Sequence, residues 1–137
     1  MTTVDDAADN AVTGGAAWLD ARPADTAEAR ALARSFMDGR APALPGPTMV
    51  DVLLVVSELV TNAIRHAGGV TAFRISDRGG AVEITVQDPS ALHPVHKEHG
   101  DDWQPGGYGW PLVHRLADVT VVPLGDGGKL IRARVRH

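Results

Sequence analysis

The chain has 137 residues, 44% of them apolar and 22% charged, with a net charge of −4 and no cysteine. This suits one domain with a real core and excludes disulfides, thiolate chemistry and any general electrostatic grip on nucleic acid. The start, "MTTVDDAADN", has neither a basic nor an apolar signal region, and no apolar stretch reads as long enough for a bilayer, so a cytoplasmic protein is expected.

Residues 1–14 are small, polar and acidic and are expected to form a disordered tail, with the domain occupying 15–137. "AAWLDARPAD" holds a short strand ending before Pro23. Ala29, Leu32, Ala33 and Phe36 then recur at helical spacing, with Asp25 and Glu28 as a capping-box-like start and Gly39 as a stop. The proline-rich "RAPALPGPT" links to a second, strongly apolar helix, from about Thr48 to Ala67, closed by two glycines.

The period then changes to two. Val82, Ile84 and Val86 alternate with Glu83, Thr85 and Gln87, and Ile131, Ala133 and Val135 alternate with Arg132, Arg134 and Arg136. Such alternation describes a sheet with one covered face and one wet face. "DRGG" and "GDGG" join the strands as two hairpins. The fold class is therefore α+β: a two-layer sandwich whose mixed, mostly antiparallel sheet carries helices on one face. The arginine row is read as keeping a sheet edge soluble. Between the hairpins, residues 89–110 are long, polar and rich in His, Pro and Gly, as a functional lid or a disordered loop would be.

Three places carry chemistry. Asp88 continues the inward phase of Val82, Ile84 and Val86, where a carboxylate needs a donor. It can cap the turn that "DPS" encodes, or it can wait for a ligand's N–H. "GGYGWPLVHRLAD" runs from glycines into a helix with Pro111 in its first turn, a geometry suited to phosphate. Glu58, Asn62 and Arg65 form a polar stripe on the second helix, and a carboxylate beside an amide oxygen suits Mg²⁺ with phosphate attached.

"SELVTNAIRHA", a strand ending in Asp88, and "GGYGWPLV" together resemble the histidine-kinase-like (GHKL) ATPases of the Bergerat ATP-binding fold. The nearest likeness is to bacterial anti-sigma factor serine/threonine kinases and small actinobacterial ATP-binding regulators. The resemblance implies ATP or ADP with Mg²⁺, Asn62 as the metal ligand, Glu58 as general base and Asp88 as acceptor of the adenine amino group. It further implies that Gly107 and Gly109 line the phosphates under a lid over 91–106. Arg65, His66, Gly106, Tyr108, Trp110, Leu112 and Lys129 would contribute to the same nucleotide site. A sigma factor and an anti-anti-sigma (STAS-type) protein are the implied partners, with homodimerisation open and neither membrane nor direct nucleic-acid binding expected. A nucleotide-binding adaptor without transfer is the alternative. Pro89 and Ser90 stand where the family usually has glycines after the aspartate, Leu130 stands where relatives often have Thr, and Trp110 replaces the usual Leu. His93, His96 and His99 sit on the proline-containing loop, where adventitious metal is expected rather than a native site. His66 and His114 otherwise read as packing or hydrogen-bonded helix residues.

Overall fold

The computed structural model describes residues 12–13, 16–91 and 109–137. The elements in chain order are β1 (Val12–Thr13), β2 (Ala16–Ala21), α1 (Thr26–Asp38), α2 (Gly46–His66), β3 (Ala72–Asp77), β4 (Ala81–Asp88), α3 (Gly109–Leu116), β5 (Asp118–Pro123) and β6 (Lys129–Arg136). Of the tail expected at 1–14, residues 1–11 and 14 lie outside the described residues, while Val12–Thr13 pair with β2. The lid expected at 91–106 lies outside them beyond residue 91, as do His93, His96 and His99.

The strands form one six-stranded sheet in the order β1-β2-β3-β4-β6-β5, and every described pairing is antiparallel. Both hairpins form where the glycine turns place them. Gly79 and Gly127 take positive φ of 80° and 94°, conformations that an L side chain rarely adopts. The alternation in β4 and β6 resolves as read: Val82, Ile84, Val86, Ile131 and Ala133 are fully buried. Their outward neighbours stand on the uncovered face of the sheet. One assignment needs correction there. Arg132, Arg134 and Arg136 lie on β6, between β4 and β5, so they cover the wet face of an interior strand and protect no edge.

α1 begins on Asp25, whose side chain accepts from the Glu28 N–H at 2.8 Å. Glu28 Oε1 reaches back to the Ala24 N–H at 2.7 Å, one residue before the expected partner. α2 starts at Gly46, two residues earlier than expected, because Pro47 with its fixed φ suits a first helical turn. Val52, Val55, Val56, Leu59, Val60 and Ala63 form its buried stripe on the sheet. α2 also corrects the expectation about bilayer-length segments: its 21 residues contain a window of mean hydropathy 1.5, enough by length and composition to cross a membrane. In the fold it is the core helix, with α1 on one flank and α3 against it.

Asp77, at the end of β3, ties the sheet's margin together. Its carboxylate accepts from the Gly79 N–H at 3.0 Å and from Arg40 Nε at 3.1 Å, with His137 Nε2 at 3.4 Å. Burial pushes this carboxyl up, but the Gly79, Arg40 and His137 contacts outweigh it and hold the group below its ordinary 3.8. Its stabilisation is therefore complete above pH 3.8 and lost as the pH falls below that value. Asp77→Asn should cost about 1–3 kcal/mol in denaturant unfolding at pH 7. The gap to the wild type should close as the titration is repeated towards pH 3.

Candidate functional site

The site lies at one end of the sandwich, where α2 and β4 both finish. Gly68 and Gly69, with φ of 87° and 119°, reverse the chain out of α2 into β3. The Thr71 N–H then donates to the Gln87 carbonyl at 2.8 Å, which brings the end of α2 beside the end of β4. Asn62, one turn from the end of α2, and Asp88, the last residue of β4, thus share this end.

Helix geometry orients the polar stripe. Ser57 and Thr61 meet α1: Arg30 Nη1 donates to Ser57 Oγ at 2.7 Å, and the Thr26 and Thr61 hydroxyls are 2.9 Å apart. Each successive residue turns about 100° round the axis. Glu58 and Asn62 therefore project from the flank that α1 leaves uncovered, both half-buried, with the exposed Arg65 beside them. Desolvation pushes the Glu58 carboxyl above its ordinary 4.5, and the Arg65 charge pulls part of the way back. A carboxylate so placed is a better proton acceptor than a free one.

Asp88 decides the character of the site. It is buried, and its two oxygens have different fates. Oδ1 accepts from the Ser90 N–H at 2.9 Å and from Lys129 Nζ at 2.9 Å. Oδ2 is fully enclosed and has no hydrogen-bond partner among the described residues. The turn cap and the waiting acceptor, alternatives on sequence grounds, are one oxygen each of the same carboxylate. An unmet buried acceptor costs about 1–3 kcal/mol, a cost that a bound water or a ligand N–H would remove.

Lys129 sits directly opposite Asp88 in the β4–β6 register and is itself only 3% exposed. Its ammonium also reaches the Ser90 carbonyl at 3.3 Å. This pairing is what the sequence reading missed, although a signal existed. Lys129 stands two residues before the inward Ile131 and so shares the inner face. Gly128 completes the arrangement, since a Cβ there would run into the Asp88 carbonyl oxygen. The close approach of the two strands needs a glycine.

Other expected site residues are distributed as follows. Gly109, Trp110 and Leu112 open α3, with Trp110 packed on the core and its ring 5.7 Å from that of His114. His66 and His114 are both exposed. Gly106, Gly107 and Tyr108 lie outside the described residues. No group of metal-ligating side chains is found among the described residues.

The chain matches the family model of the histidine kinase-like ATPase domain over residues 19–135. It belongs to that family. Among solved structures it is similar to the Erythrobacter litoralis EL346 blue-light activated histidine kinase, with a TM-score of 0.51 and 23% identity over 80% of this chain. It is also similar to the histidine kinase domain of that protein, with a TM-score of 0.51 and 24% identity over 85% of this chain. The chain spans 40% and 65% of those two chains, so the likeness is one of fold. No curated protein matches it. Membership of an ATPase family implies a nucleotide site.

The packing at Gly128 gives a direct test. Gly128→Ala should cost about 1–3 kcal/mol in denaturant unfolding, because neither backbone strand can give way freely. Gly125→Ala, where a Cβ meets nothing within 4 Å, should shift the midpoint by no more than about 0.5 kcal/mol.

Proposed function

We propose that this chain is an ATP-binding regulatory protein of the cytoplasm: an anti-sigma factor serine/threonine kinase that phosphorylates an anti-anti-sigma partner and sequesters a sigma factor. The single observation that carries the nucleotide half is Oδ2 of Asp88, buried and without a hydrogen-bond partner among the described residues, an acceptor of the kind that suits the 6-amino group of adenine. The kinase half is supported by the flank of α2. Glu58 and Asn62 present a carboxylate and an amide oxygen one turn apart, which fits a hydrated Mg²⁺ carrying phosphate. When bound, Mg²⁺-ATP supplies the transferable phosphoryl group. Asn62 would hold the metal, and Arg65 lends positive charge nearby. Glu58, its basicity raised by burial, takes the proton of the incoming serine hydroxyl.

A second reading, a nucleotide-bound adaptor without transfer, draws on two observations. Pro89 offers no N–H to a base, and Lys129 is committed to Asp88 instead of being directed at phosphate. Phosphate transfer separates the two readings. Glu58→Gln should bind ADP nearly as well as the wild type, since the proton is moved only in the transition state. It should transfer labelled phosphate to anti-anti-sigma proteins of the same organism about 10²–10⁴-fold more slowly. Wild-type transfer should fall as the pH drops through a value above 4.5, and Glu58→Gln should lack that acid limb. Asn62→Ala should lose Mg²⁺-dependent binding and transfer together. Tight ATP binding by a wild type that phosphorylates none of these proteins would establish the adaptor.

A further inference from the structure

The proposed nucleotide reading assigns Asp88 to the base but leaves Lys129 without a task. A buried lysine on the inner face of a sheet is costly, and it persists here because its ammonium is paired and hydrogen-bonded. Its chemical consequence is specific. With the Ser90 N–H and Lys129 Nζ both on Oδ1, that oxygen has accepted two hydrogen bonds and its lone pairs are taken. The carboxylate, which could otherwise receive two donors side by side, has one oxygen left to offer.

We propose that Lys129 is the positioning residue that sets base specificity, by occupying Oδ1 so that the pocket accepts a base edge with one N–H donor and rejects one with two. This rests on the nucleotide reading above. A 6-aminopurine presents one amino N–H to Oδ2. Guanine presents N1–H and the 2-amino N–H in parallel, a pair matched to both oxygens of a free carboxylate. Against Asp88 held by Lys129, one of guanine's donors is buried without an acceptor. Lys129 touches neither base. It acts through Asp88, whose Oδ1 it holds at 2.9 Å.

The test is the ratio of ADP to GDP affinity, measured by calorimetric titration of the full chain with Mg²⁺ present. The wild type should favour ADP by about 10- to 100-fold. Lys129→Met has no donor and frees Oδ1; if it retains the wild-type circular dichroism spectrum, its ratio should fall to within about threefold. Lys129→Gln returns an N–H donor without the charge and should keep the ADP preference, a difference that a purely structural role would not produce. Equal wild-type affinity for the two nucleotides overturns the proposal, as does an unchanged ratio in folded Lys129→Met or a lost preference in Lys129→Gln. The wild-type ratio and the Lys129→Gln result stand whether or not Lys129→Met folds. A wild type that binds neither nucleotide overturns the nucleotide reading itself, and the role of Lys129 with it.

Discussion

The buried pair of Asp88 and Lys129 joins the ends of β4 and β6 at 2.9 Å, and the organisation of the site follows from it. Two charges are removed from water there, which is tolerable only with close geometry and further hydrogen bonds. The structure provides both. The Ser90 N–H shares Oδ1, the Ser90 carbonyl shares the ammonium, and Gly128 lets the strands approach closely enough for the pair to form. Removing one partner of such a pair typically costs about 3–5 kcal/mol, because the other charge is left behind. Among the described residues, the arrangement leaves Oδ2 without a hydrogen-bond partner, at the end of the sandwich where α2 terminates.

Under the proposed function that oxygen and the flank of α2 divide the work of one site. Asp88 would address the end of a ligand that carries N–H donors, while Glu58 and Asn62 would address metal and phosphate. The sheet is the scaffold for the first group and the core helix for the second. Both are held by the same apolar core, which contains Leu59 and Ala63 of α2 and Ile84, Val86 and Ile131 of the sheet. The polar stripe stays accessible because α1 packs on the opposite flank through Ser57 and Thr61. Most of the stability of α2 comes from its buried stripe, so the exposed flank is free to carry function.

Much of this was legible in the residues themselves. Period-two alternation placed β4 and β6 correctly, inward and outward residues included, because a half-buried strand must show its burial in every second position. Glycine turns located both hairpins. The phase of Val82, Ile84 and Val86 put Asp88 inside. Local pattern does not, however, encode which strands become neighbours. β6 lies between β4 and β5, so the arginine row read as an edge stands on the face of an interior strand. The same non-local pairing sets Lys129 opposite Asp88, a contact spanning 41 positions of sequence. The long apolar run of α2 met a membrane criterion by composition, and only its packing under the sheet identifies it as core.

The proposed function requires Asp88 Oδ2 to accept an N–H from the base. Substituting Asp88 would also break its pair with Lys129, so changing the ligand is the cleaner experiment. Calorimetric titration with ADP and with purine riboside diphosphate, which lacks only the 6-amino group, isolates that contact. Loss of the amino group should weaken binding by about 10- to 100-fold, the worth of one buried hydrogen bond to a carboxylate. Equal affinity for the two diphosphates would contradict it.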